Sequence, residues 1–161
     1  MPTVELIIFD MDGVLCHYDF KKRLALLADI TVREAGEIDE IIFRSGFDDE
    51  GDRGHYSAEN YLRLFGEHLG VPVSRDDWLR ARRQSIEPDP VVLSLVKTMA
   101  RRVSVAMLTN NGALLQEGFD EVFPEAAAIF GDRAFFSSQL KSTKEVPEIF
   151  HRVLDALDGR P

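Results

Sequence analysis

Val4-Glu5-Leu6-Ile7-Ile8-Phe9-Asp10-Met11-Asp12-Gly13-Val14 is a short apolar run that ends in two carboxylates one residue apart and then a glycine. An apolar run of this length predicts a strand of a parallel sheet buried on both faces. Asp10 and Asp12 then stand at the strand's carboxyl end, where open α/β sheets place their ligands, and Gly13 lets the chain turn sharply away. Two carboxylates there are costly unless a cation joins them, and a hard divalent ion such as Mg2+ suits oxygen ligands and draws a phosphate into the same crevice. Two blander readings are weaker. A calcium loop needs a preceding helix and further acids at fixed offsets, and a simple turn does not explain the apolar run in front of the pair.

The remainder of the chain shows two textures. Residues 17–85 carry no strand signal but several helical ones. Thr31 and Glu34 form a capping-box pattern ahead of Val32, Ala35, Ile38, Ile41 and Ile42, a helix expected to end at Gly46. Residues 47–55, rich in acids and glycine, read as a solvated charged loop. Ser57 caps a helix bearing Tyr61, Leu62, Phe65 and Leu69. Ser74 and Asp77 begin another with Trp78 and Leu79, where Arg80, Arg82 and Arg83 read as a wet face. From Pro88 the texture changes to alternating helix and strand. Asp89-Pro90 opens a helix, Val103–Leu108 is the second strand and runs into Thr109-Asn110-Asn111-Gly112, residues 113–130 are helical with a break at Pro124, residues 134–136 make a third strand, and a last amphipathic helix carries Val146, Ile149, Phe150, Val153, Leu154 and Leu157.

Composition narrows the classes. The 161 residues, 45% hydrophobic and 29% charged, suffice for one core with a modest added lobe. A formal net charge of −9 argues against a nucleic-acid footprint. A single cysteine, Cys16, excludes an internal disulfide, and no signal peptide or apolar span of membrane length is present, so a cytoplasmic protein without a membrane partner is expected. Cys16 reads as a small packed residue rather than a nucleophile.

If the first two strands are neighbours, Asp10, Asp12 and Thr109 meet at one sheet edge, with the Asn110 amide available to an anion. Taken in order, Phe-Asp-Met-Asp-Gly-Val, a helical insertion, Leu-Thr-Asn-Asn, and Ser-Ser-Gln-Leu-x-x-x-Lys-x-x-Pro-Glu-Ile-Phe resemble the haloacid-dehalogenase-like hydrolase superfamily, in the subgroup with a small helical cap after the first motif. That resemblance implies a three-layer, Rossmann-like α/β core of residues 1–15 and 86–161, with helices on both faces of a parallel sheet, and an α-helical cap of residues 16–85. It implies that Asp10 is a nucleophile forming an aspartyl-phosphate and that Asp12 protonates the leaving oxygen and later activates water. Thr109 and Asn110 would hold phosphoryl oxygens, and Mg2+ would be bound by the Asp10 carboxylate and the Asp12 carbonyl. A third-motif lysine is also implied; Lys141 and Lys144 are both candidates, and Lys144 has the better spacing to Pro147 and Phe150, although Glu145 stands where a proline is usual.

An acid at the position of Asp12 serves an alcohol leaving group, so the resemblance implies a Mg2+-dependent phosphatase of small phosphorylated metabolites, with sugar phosphates the nearest class, rather than a 2-haloacid dehalogenase. The cap is nearly silent on substrate: His17, Tyr18 and Asp19 sit near the entrance, and Arg44 is placed to reach a second anion. The chain stops at residues 158–161, where the family continues into a fourth strand tipped with metal-binding acids. This predicts a truncated core, a weakened metal site and an exposed sheet edge through which two copies could pair. The alternative to an enzyme is a remnant that binds phosphate or assembles without turnover.

Overall fold

A computed structural model of the protein describes residues 4–158; residues 1–3 of the core segment and the tail residues 159–161 lie outside the described residues. Three parallel strands form the central sheet: β1 (Leu6–Phe9), β4 (Ser104–Thr109) and β5 (Ala134–Phe136), in the order β1-β4-β5. Leu6 lies opposite Ser104 and Phe9 opposite Met107, so Asp10 emerges beside the carboxyl end of β4. Met107 faces Ala134 and Thr109 faces Phe136 on the other side.

The two-residue period of the strands divides the core into two layers. Leu6, Ile8, Ala106, Leu108 and Phe135 pack against Ile149 and Val153 of α11 (Glu148–Asp158). Phe9, Val105, Met107 and Phe136 face the opposite layer, which includes Leu93 and Val96 of α6 (Pro90–Met99), Phe119 and Val122 of α8 (Phe119–Val122), and Ala126 and Phe130 of α9 (Pro124–Phe130). Helices α7 (Ala113–Glu117) and α10 (Ser137–Leu140) follow β4 and β5 directly. The sheet is thus an α/β core covered on both sides.

Gly13, at φ 80°, turns the chain after β1, and Met11, fully buried, accepts the Leu15 amide through its carbonyl at 2.9 Å. The chain then enters β2 (Cys16–Tyr18), which pairs antiparallel with β3 (Ile86–Pro88). These two strands form a stem. Between them stand α1 (Phe20–Thr31), α2 (Ala35–Ile38) continued by a π-helical stretch Asp39–Arg44, α3 (Phe47–Asp52), α4 (Ala58–Leu69) and α5 (Arg75–Gln84).

Side-chain caps set most of these boundaries. Ser57 accepts the Asn60 amide at 3.2 Å, Ser74 accepts that of Asp77 at 3.1 Å, and Asp89 takes those of Val91 and Val92 at 2.9 and 3.0 Å ahead of Pro90. Leu27, Ile38, Ile42, Phe65 and Trp78 of the inserted helices share one apolar cluster with Met107 and Phe119 of the core. The lobe therefore packs directly against the core.

Four expectations for the insertion need correction. The stem strands are too short to show a period, so β2 and β3 went unread. Helix α1 also went unread; Asp19 caps it by accepting the Lys22 amide at 2.9 Å. Thr31 does not start a helix but ends α1, its hydroxyl donating back to the Leu27 carbonyl at 2.7 Å, and Val32 follows at φ 53° and 93% exposed. Finally, residues 47–52 are a helix and not a solvated loop. Phe47 anchors it by stacking between Tyr56 and Tyr61, and three acids sit favourably in its first turn.

Candidate active site

The site lies at the carboxyl edge of β1 and β4. Asp10 Oδ1 accepts the Met11 amide at 2.7 Å, and Asp10 Oδ2 lies 2.6 Å from Lys144 Nζ. Their side chains are 38% and 27% exposed, so this ion pair faces a solvent-reachable opening. The loop that carries Lys144 is fixed by Asn110, whose Oδ1 accepts the Lys144 amide at 3.0 Å and whose Nδ2 donates to Glu145 at 3.2 and 3.3 Å. Lys141 goes elsewhere: at φ 52° it turns its Nζ to the Gly54 carbonyl of the insertion. Of the two lysines, Lys144 is the one brought to Asp10.

Thr109 is buried at the end of β4, and its hydroxyl accepts Asn111 Nδ2 at 2.7 Å. Asn111 Nδ2 also lies 3.3 Å from Asp12 Oδ2, which ties the two strand ends together. The Asn111 amide donates to Ser137 Oγ at 3.0 Å, and Ser137 in turn donates to the Asp52 carbonyl at 2.6 Å. Asn111 and Ser137 therefore link β4, β5 and the inserted lobe. The helix after Gly112 is only five residues long.

Asp12 has an unexpected partner. Arg82 of α5, read from sequence as part of a wet face, is 1% exposed, and its Nη2 donates to both Asp12 oxygens at 2.7 and 2.6 Å. Its guanidinium stacks over the Tyr18 ring at 4.2 Å, while Nε and Nη1 are buried without a hydrogen-bond partner. Only Arg80 and Arg83 of that face are exposed. A signal for this existed in the spacing, because Arg82 lies one helical turn after Trp78 and so shares its buried face.

Other candidates are placed away from the centre. His17 is exposed on β2, and Arg44 pairs with Asp39 and Glu40 on the lobe's surface. Burial, with Asp12 nearby, pushes the Cys16 thiol up to about 12, which removes it as a nucleophile at neutral pH.

A second polar cluster lies beneath the lobe. Arg23 Nη1 donates to Tyr18 Oη at 3.1 Å, and its guanidinium stacks on Phe43 and Trp78 at 5.1 and 5.0 Å. Tyr61 donates its hydroxyl to Asp48. Burial, then the neighbouring Asp48, pushes the Asp52 carboxyl up to about 8. Burial likewise holds the Tyr61 phenol well above its usual value.

The donor set at β1 suits a hard cation only in part. Asp10 offers a partly exposed carboxylate that already meets the Met11 amide and Lys144, the Asp12 carboxylate is taken by Arg82, and no three His, Cys, Asp or Glu side chains converge as a metal cluster among the described residues. Mg2+ keeps several waters and is commonly held by one or two carboxylates plus substrate phosphate, and Asp10 is the carboxylate at this edge that such an ion could share with a substrate.

The fold and this edge of convergent carboxylates, hydroxyl and lysine define a Rossmann-like α/β hydrolase with an inserted helical lobe. The sequence profile of the haloacid dehalogenase-like hydrolases matches residues 4–161, and the chain belongs to that family. No curated protein matches it in sequence.

Among solved structures, a family enzyme from Bacteroides thetaiotaomicron in complex with magnesium and inorganic phosphate is 18% identical. It superposes with a TM-score of 0.77 over 97% of this chain and 80% of its own. A predicted HAD-like family hydrolase from Porphyromonas gingivalis, 18% identical, gives 0.78 over 98% and 78%. The L-2-haloacid dehalogenase of Xanthobacter autotrophicus, with chloropropionic acid covalently bound, is 14% identical and gives 0.61 over 99% and 67%. These likenesses show the shared fold.

Proposed function

We propose that the chain is a Mg2+-dependent phosphatase of small phosphorylated metabolites. The observation that carries this reading is the Asp10–Lys144 pair set beside Thr109 and Asp12 at one sheet edge. In the first step an Asp10 oxygen attacks phosphorus, the bond to the leaving oxygen breaks, and protonated Asp12 gives that oxygen its proton. Lys144 and the Thr109 hydroxyl orient the phosphoryl oxygens. In the second step Asp12, now ionised, takes a proton from water, which attacks the aspartyl-phosphate and frees Asp10 and inorganic phosphate. Asp10 and the Asp12 carbonyl would hold Mg2+, whose charge would offset the repulsion between carboxylate and phosphate.

The presence of Asp12 supports phosphate esters over halides, since a departing halide needs no proton. A screen of small phosphate esters with and without Mg2+, on the wild type and on Asp10→Asn, tests the reading. Turnover that requires both Mg2+ and Asp10 supports it; halide release from 2-haloacids without phosphate release would replace it with the dehalogenase reading. A second reading, a phosphate-binding remnant without turnover, draws on Arg82, because a clamped Asp12 must be released before it can reach a leaving group. Phosphate binding with no turnover of any ester would favour that.

A further inference from the structure

Ser137, the first residue after β5, is 0% exposed, and its hydroxyl is fully committed. It accepts the Asn111 amide at 3.0 Å and donates to the Asp52 carbonyl at 2.6 Å, with the Asn111 carbonyl a longer acceptor at 3.3 Å. A serine hydroxyl has one proton to give, so none is left for a ligand. Any effect of Ser137 passes through what it holds.

Residues 110–112 belong to no helix or strand, so no ladder of hydrogen bonds fixes them. The Asn111 carbonyl accepts the Ser138 amide at 3.4 Å, and both main-chain groups of Asn111 therefore rest on the first turn of α10. The Asn111 side chain, aimed by that backbone, gives Nδ2 to the Thr109 hydroxyl at 2.7 Å and to Asp12 at 3.3 Å. A shift of the turn thus reaches both residues.

The same hydroxyl reaches the lobe. Asp52 ends α3, where the last carbonyls of a helix have no partner within it, and Ser137 takes one of them. Lys141, which caps α10, takes the Gly54 carbonyl just beyond. One buried hydroxyl joins the seat of α3 to the turn that serves the site.

We propose that Ser137 is a positioning residue: by fixing the Asn111 main chain between the sheet and α3, it sets where Asp12 and Thr109 stand. Its effect on rate rests on the phosphatase reading, but its effect on Asn111 can be measured without turnover. The chain has three asparagines, Asn60, Asn110 and Asn111, so asparagine-selective 15N labelling resolves their side-chain amides by NMR. In Ser137→Ala the Asn111 amide and the Asp52 carbonyl lose their partner. The Asn111 side-chain signal is expected to move toward that of a free amide, while that of the exposed Asn60 stays in place.

In turnover of a small phosphate ester with Mg2+, Ser137→Ala is expected to lower kcat/KM about ten-fold in the wild type. The loss should be less than about two-fold where Asn111 is already alanine. A merely structural role would lower both backgrounds alike. Should Ser137→Ala not fold, Ser137→Cys, which keeps a weak donor and acceptor in similar space, is expected to move the same signal and lose about three-fold or more. An unmoved Asn111 signal, kcat/KM within about two-fold of the wild type, or an equal loss in both backgrounds overturns the proposal. Absence of Asp10-dependent turnover in the wild type, with the Asn111 signal moved as expected, would overturn only the phosphatase reading.

Discussion

Replacing Arg82 by methionine deletes the guanidinium that holds both oxygens of Asp12 and leaves a side chain of similar length in its place. Breaking a buried ion pair costs about 3–5 kcal/mol, because the surviving charge loses its partner. Here the Asp12 side chain is 26% exposed and keeps Asn111 at 3.3 Å, so part of that cost is relieved by water and by the amide. Arg82 itself has Nε and Nη1 buried without partners, so removing it also removes two unsatisfied groups. A net loss of about 2 kcal/mol follows from setting these offsets against the buried-pair cost.

In urea unfolding this is a midpoint shift of about 1 M for a slope of roughly 2 kcal/mol/M. Asp12→Asn in the Arg82→Met background should then cost much less than in the wild type, with a coupling of about 1.5 kcal/mol or more in the double-mutant cycle. Additive effects, or an Arg82→Met protein within about 0.5 kcal/mol of the wild type, would refute the reasoning, since both would mean that the pair contributes nothing.

Three further outcomes follow from the geometry. Asp52 has its carboxyl raised to about 8 from an ordinary value of 3.8, so the folded state holds a proton that the unfolded chain has lost; stability therefore falls as pH rises between those values, and Asp52→Asn should gain on the wild type by about 1–3 kcal/mol at pH 8 and little at pH 4 in paired thermal melts. Gly54 sits at φ +78° with room for no side chain, an added Cβ lying 2.2 Å from the Ser138 carbonyl oxygen, so Gly54→Ala should lose about 2 kcal/mol or more in urea unfolding and loosen the lobe to proteolysis. Cys16, 2% exposed and with its thiol raised to about 12, should react with a disulfide reagent at neutral pH only as fast as the protein unfolds, and fast labelling under native conditions would contradict that burial.

The core was readable because each of its strands is a dense apolar run and each of its ends is marked by a chemical residue. Leu6–Phe9 and Ser104–Thr109 pair in register, and the residues that follow them converge. Lys144 was separable from Lys141 by its spacing to Pro147 and Phe150, and the two lysines do part, one to Asp10 and one to Gly54.

The insertion was harder, because its elements are decided by tertiary contacts. The stem strands hold three residues each, too few for a period. Residues 47–52 have a loop's composition and become helical because Phe47 is buried between tyrosines. Arg82 and Asp52 are residue types that sequence reasoning sends to water; only the fold shows Arg82 on Asp12 and Asp52 inside the lobe. The residues missed in this way are those that tie the lobe to the site.

The central claim is that Asp10 carries a phosphoryl group during turnover. Acid quenching of the wild type with a small phosphate ester and Mg2+, followed by mass spectrometry of its peptides, tests this most directly. One added phosphoryl group is expected on the peptide that contains Asp10, labile to hydroxylamine and absent in Asp10→Asn. Phosphate release without that adduct, or an adduct that persists in Asp10→Asn, would contradict it.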